Sequence, residues 1–196
     1  MVTEFCRRSQ LLGFENNASL EMMKFGKSDL PAPAHFWGVV DKGMIVSVSG
    51  CHKIDDHSMR CLYRSATLPE YSNLVPGISK NHMNSLPFSH LLPLQINQGL
   101  AEGITEFFVT TTDGTHDASG KMLRTHKALQ LLAKNQIVEL VGCVEMYDKN
   151  QVKWKINLTR YHQALVSFHP VRLKMGISLS EEYFHIIRNG FNKPLV

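Results

Sequence analysis

Between Lys149 and Ser180 the chain carries no acidic residue, nowhere does it show a C-x-x-C pair, and no apolar run approaches the roughly 20 residues that cross a bilayer as a helix. Each absence narrows the field. The four cysteines, Cys6, Cys51, Cys61 and Cys143, are scattered through 196 residues, a length that does not need disulfides, so they are expected as reduced thiols. The N-terminus has Glu4 and Arg7-Arg8 with no apolar run behind them, unlike a secretory leader, so neither secretion nor a membrane partner is expected. There is no G-x-S-x-G, no G-x-x-x-x-G-K-[S/T] loop and no H-E-x-x-H, so no motif nominates an enzyme, a cofactor or a catalytic residue.

What is present suffices for a core. Hydrophobic residues make up 43% and charged residues 19%, which excludes general disorder. Net charge is +4, from 21 basic and 17 acidic side chains, and permits an acidic partner without demanding one. Residues 1–35 read as an arm, with a short helix near 18–25, ending in Pro31-Ala32-Pro33-Ala34, which suits neither a helix interior nor a central strand. From Gly43 the pattern has period two, Met44, Val46 and Val48 alternating with Ile45, Ser47 and Ser49, so a strand is expected to about Ile54. Residues 55–103, with Asp55-Asp56, Pro69, Pro76-Gly77, Pro87 and Pro93, show little periodicity beyond a short strand at Met59–Tyr63 and read as an insertion.

Ile104–Thr112 reads as a strand closed by the turn Asp113-Gly114, followed by a short strand over 121–126 and a helix over 128–133. Ile137–Tyr147 and Gln151–Tyr161 read as a hairpin about Asp148-Lys149-Asn150, with Val152, Trp154, Ile156 and Leu158 on its core face. Ser178-Leu179-Ser180-Glu181 matches a capping box, and the apolar Leu179, Tyr183, Phe184, Ile186, Ile187 and Phe191 then predict a terminal helix that needs something to pack on. About five strands, one short helix and a terminal helix, without the long crossovers of parallel sheets, suit a five-stranded Greek-key barrel, the OB-fold. The expected layout is an arm over 1–35, a barrel over 36–176 with the insertion 55–103, and a helix over 177–196.

The run Ile137-Val138-Glu139-Leu140-Val141-Gly142-Cys143-Val144, the hairpin to Tyr161 and the segment Leu179–Pro194 resemble the smallest subunit of replication protein A, or a telomeric CST-like paralogue; Gly43–Ile54 and Ile104–Gly114 are similar to its first strands. The arm and residues 55–103 have no counterpart there. The resemblance implies a nuclear, non-enzymatic subunit of a heterotrimer, bound to two larger OB-fold subunits through a bundle of C-terminal helices, with single-stranded DNA held only weakly by this subunit itself. Telomere capping is the neighbouring alternative, and a small zinc-binding or enzymatic OB-like protein one of another class.

On that view Lys149, Lys153, Lys155 and Arg160 make a phosphate-facing strip beside a base-stacking Tyr161, and Leu179, Tyr183, Phe184, Ile186, Ile187 and Phe191 are the partner interface. A solvated strand face is the plainer reading of those lysines. Phe107 and Phe108 must face opposite sides of a regular strand. Cys51, His52, His57 and Cys61 are close enough in sequence to suggest zinc, but their spacing fits no defined motif, so accidental clustering is expected and no metal site is assigned. Asp113, His116 and Asp117 read as turn chemistry.

Overall fold

The computed structural model of the chain describes residue 5 and residues 35–41, 43–71, 85–112, 124–146, 149–174 and 184–188. Seven strands, β1 (His35–Asp41), β2 (Met44–Lys53), β3 (Ser58–Thr67), β4 (Glu106–Thr112), β5 (Val138–Met146), β6 (Lys149–Ile156) and β7 (Phe184–Arg188), form one sheet in the order β5-β6-β4-β3-β2-β1-β7. Among the described residues the longer helices are α1 (Leu92–Ala101), α2 (Arg124–Lys134) and α3 (Leu158–Lys174). Neighbouring strands are antiparallel except β3 and β4, which run parallel. The sheet is open, with β5 and β7 at its edges, so the expected five-stranded Greek-key OB barrel is corrected.

The reason lies in the stretch taken for an insertion. Parallel neighbours need a crossover, and α1 with the π-helical turn Pro87–Leu91 before it lies on that connection. Its apolar stripe is present in sequence: Phe88, Leu91, Leu92, Ile96 and Gly99, with Gln95 among them, recur at helical spacing and are all buried. Pro87 and Pro93 look like loop markers but stand in the first turns of their helical segments, where a missing N–H costs nothing. Gly103, at φ +80°, accepts the left-handed conformation that ends α1, and the Ile104 amide returns to the Gly99 carbonyl at 2.9 Å.

Two further elements differ from expectation. Strand β6 stops at Ile156, and Asn157 caps α3 by accepting a hydrogen bond from the Arg160 amide at 3.1 Å, so the alternation read through Tyr161 crosses a strand-to-helix junction. A strand expected over 121–126 is instead helical from Arg124. At the other end, residues 184–188 are not helical but a strand, antiparallel to β1 with Phe184 opposite Asp41, Ile186 opposite Val39 and Ile187 opposite Gly38. Phe184, Ile186 and Ile187 thus belong to the chain's own sheet rather than to a helix bundle. Leu179, Tyr183, Phe191, the capping box and residues 113–117 lie outside the described residues.

Helices α1 and α2 cover one face. Gly99 of α1 lies against Phe107 and Met59, while His126 of α2 meets Trp154 edge to face at 5.6 Å. Phe107 and Val109 alternate onto the same face of β4, and Val109 is paired with Trp154. Phe108 points the other way, beneath the Lys153 ammonium 4.2 Å from its ring centre.

Candidate active-site cleft

Strands β3 and β4 pair over three positions only, Ser58–Glu106, Met59–Phe107 and Arg60–Phe108. Beyond them the strands part. The cause is in β3, where the register with β2 slips twice: between Arg60 and Tyr63, and again between Tyr63 and Ala66, three residues of β3 span two of β2. Each slip is a bulge, which bends a strand and increases its twist. Leu62 at φ +53° and Arg64 at φ +49° take up the left-handed conformation within these bulges. Val109 to Thr112 of β4 consequently pair with β6 alone. A cleft opens at the carboxyl ends of two parallel strands, where open α/β sheets bind ligands.

A buried side chain holds the bulge. Gln95 of α1 is fully buried; its Oε1 accepts the Leu62 amide at 2.9 Å, and its Nε2 donates to Ser49 Oγ at 2.8 Å, which lies 2.6 Å from Ser65 Oγ. Helix α1, the β3 bulge and strand β2 are thereby joined through one amide. Below the cleft Gln151 does a similar service on the opposite face, receiving Arg60 Nη2 at 3.2 Å and the Thr110 hydroxyl, and donating to the Met146 carbonyl at 3.0 Å.

The titratable groups around the cleft are mostly held neutral. Burial pushes the Cys61 thiol well up, with Cys51 beside it adding to the effect, so neither a thiolate nor an acyl-cysteine is favoured there. Burial likewise raises the Tyr161 phenol, which donates to the Phe88 carbonyl at 2.5 Å. His52, opposite Arg60 on β2 and 5.0 Å from the Tyr63 ring, has its pKa lowered, chiefly by burial. Its Nδ1 lies 3.0 Å from the Lys53 carbonyl; donating there places the neutral ring's lone pair on Nε2, as a proton acceptor requires. An imidazole whose folded pKa is below its unfolded value leaves the unfolded chain with more protons between the two. Stability should therefore fall as pH drops below about 6.5. Chemical denaturation between pH 7.5 and 5.5 tests this, because His52→Gln should flatten that part of the profile and an unchanged slope would refute the assignment.

The residues expected to grip DNA are arranged otherwise. Glu106 takes Lys153 at 2.7 Å and Lys155 at 3.2 Å, and its carboxyl is held below the usual range first by the Lys153 hydrogen bond. Arg160 is exposed on α3, one turn beyond β6, and Lys149 begins β6. Tyr161 is buried with its hydroxyl engaged, which leaves no face for stacking a base. Cys51 and His52 are adjacent on β2 and so face opposite sides of the sheet, and no group of metal-ligating side chains is found among the described residues. The working parts found here, the double bulge, Gln95 and His52, were missed in the sequence. Gln95 at an apolar helical position was the one readable signal.

No family model and no curated protein matches the chain. Solved structures do. An acetyltransferase from Streptococcus agalactiae is similar at 13% identity and a TM-score of 0.48, over 79% of this chain and 87% of that one. An IAA acetyltransferase from Bacillus cereus is similar at 8% identity and a TM-score of 0.35, over 58% and 70% of the two chains. A GNAT family acetyltransferase from Elizabethkingia anophelis with acetyl-CoA bound is similar at 9% identity and a TM-score of 0.34, over 58% and 69%. All three are acetyltransferases. The expected kinship with replication protein A and CST subunits rested on an OB barrel; the open sheet corrects it, and the expectation of a non-enzymatic, DNA-binding assembly subunit drawn from that kinship goes with it. At these TM-scores none of them transfers its activity to this chain.

Proposed function

We propose that this chain is an acyltransferase that takes its acyl group from an acyl-CoA thioester bound between β3 and β4. The observation that supports it is the parting of the parallel pair after Arg60 and Phe108. Two strand edges that face a gap instead of each other offer amides and carbonyls to an extended guest, as a sheet edge does to a peptide. An amide-bearing, extended arm ending in a reactive carbonyl satisfies that demand, and the pantetheine arm of acetyl-CoA is such an arm. With Cys61 buried as a neutral thiol, the acceptor attacks the thioester directly, without a covalent enzyme intermediate.

The test is calorimetric and chemical. Purified chain should bind acetyl-CoA saturably and release CoA thiol only when an amine acceptor is added, with the acetyl group recovered on the amine by mass spectrometry. Absence of acetyl-CoA binding at millimolar concentration would refute the reading. Appearance of acetyl-Cys61 would refute direct transfer.

A further inference from the structure

Helices α1 and α2 close one face of the sheet, so a second reactant has to meet a thioester held between β3 and β4 from the other face. Gln95 reaches Ser49 from the helix side, which puts His52, three residues on, on the opposite side of β2. Arg60 is the cross-strand partner of His52, and the Tyr63 ring meets the imidazole edge-on at 5.0 Å. On this face the wall of the cleft is set by Arg60, Tyr63 and Arg64 of β3.

The three side chains form one cluster. The Arg60 guanidinium lies 5.0 Å from the centre of the Tyr63 ring and that of Arg64 5.6 Å from it, and Arg64 Nε donates to Tyr63 Oη at 3.4 Å. In a regular strand Tyr63 would face away from Arg60 and Arg64; the two bulges turn it onto their side. Arg60 is the last residue of β3 paired with β4, and Arg64 stands in the half that has parted, so both cations flank the point where the gap begins. Both are half-buried, which leaves the cluster open to solvent. Two like charges gathered at one ring repel, and an anion beside them turns that repulsion into attraction. A guanidinium over a ring keeps its N–H fork in its own plane, aimed past the ring, where a carboxylate or phosphate is taken bidentately.

We propose that the acceptor amine also carries an anionic group, a carboxylate or a phosphate, which the Arg60–Tyr63–Arg64 cluster holds; the inference rests on the acyl-transfer reading above. Gripped by its anion, the acceptor presents its nitrogen to the thioester from the face opposite α1. An ammonium nitrogen yields one proton to solvent before it attacks. The C–N bond then forms at the carbonyl carbon, the C–S bond breaks, and the CoA thiolate takes the second proton. The arginines touch a group remote from the reacting atoms, so they act on acceptor choice and act mainly through its KM.

Two matched pairs of acceptors test this: β-alanine against β-alaninamide, and O-phosphoethanolamine against ethanolamine. In one pair the anionic member should show a kcat/KM higher on the order of 10- to 100-fold. A lead for β-alanine marks a carboxylate site, and a lead for O-phosphoethanolamine a phosphate site. Arg64→Gln should remove that preference by raising the acceptor KM, with the acetyl-CoA dissociation constant and kcat on the neutral acceptors held. Arg64→Lys, which keeps the charge and loses the fork, should restore part of it. The anion site is overturned, and acyl transfer stands, if the neutral acceptors serve as well as the charged ones, if the enzyme acetylates other amines but none of these four, or if Arg64→Gln keeps the preference. Weaker acetyl-CoA binding in Arg64→Gln with the preference intact would overturn it too, assigning the arginine to the coenzyme's phosphates. If the wild type does not bind acetyl-CoA, or binds it and transfers its acetyl group to no amine, both readings fail.

Discussion

Gln95→Leu should cost about 2 kcal/mol of stability, since it strands the buried Leu62 amide while Ser49 Oγ keeps Ser65 as its partner, and should lower the melting temperature on the order of 6 °C. Gln95 is fully buried and satisfies the Leu62 amide at 2.9 Å and Ser49 Oγ at 2.8 Å. Leucine offers neither oxygen nor N–H, so Leu62 N–H would have to find β4 or go without. The first outcome closes the cleft; the second destabilises the bulge. Either way acetyl-CoA binding should weaken by more than the loss of folded protein explains, and calorimetry on the folded fraction separates the two effects. A variant that keeps full affinity would show that the bulge is held by backbone geometry alone. Gln95→Glu is the informative companion: it retains the acceptor for Leu62 but loses the donor to Ser49, and it places a carboxylate where burial is complete.

Replacing Gly99 with valine should be still more damaging. A Cβ at that position would stand 2.9 Å from Phe107 Cζ, nearer yet to Phe107 Cε1, and 3.1 Å from Met59 Sδ. Phe107 and Met59 are both fully buried at the base of the cleft, so the ring has nowhere to turn. Overpacking of this kind costs about 1–3 kcal/mol for single methylenes, and valine adds more than one group on a helix where its χ1 is restricted. We expect more than 3 kcal/mol of loss in urea unfolding, against which the roughly 1 kcal/mol that alanine gains over glycine in helix propensity is too small to compensate even in Gly99→Ala. A neutral Gly99→Ala would mean that α1 stands further from β4 than these contacts indicate.

How much of this was visible in the sequence depends on which signals compete. Strand β2, strand β4 and the β5–β6 pair declare themselves by alternation, and Trp154 falls on the core side as its spacing requires. Helix α1 was hidden because Pro87 and Pro93 outweighed a stripe of buried positions that is plain once the prolines are seen as first-turn residues. The last strand was taken for a helix because Tyr183, Phe184, Ile186 and Ile187 satisfy a 3.6-residue stripe nearly as well as a short strand, and over five residues tertiary pairing decides. Without α1 the parallel pair could not be inferred, and without the parallel pair the barrel was the natural reading. The cleft was not legible for a further reason: a bulge is a relation between two strands, and nothing in Leu62 or Arg64 as residues announces a positive φ. Lys153 and Lys155 looked like a free basic strip because their partner, Glu106, is supplied by another strand.

The pairing of β7 with β1 joins residues 184–188 to residues 37–41 and so closes the longest span in the described sheet. During synthesis the outer edge of β1 must wait, unpaired, until nearly all the other strands have left the ribosome. An open strand edge is a template for the wrong partner, and the nascent chain carries this one through most of its translation. Slow codons or a chaperone acting before residue 184 emerges would thus bear on yield more than on the stability of the finished fold. Shortened chains ending before Phe184 should aggregate through β1 even where the cleft, on the far side of β2 and β3, has already formed.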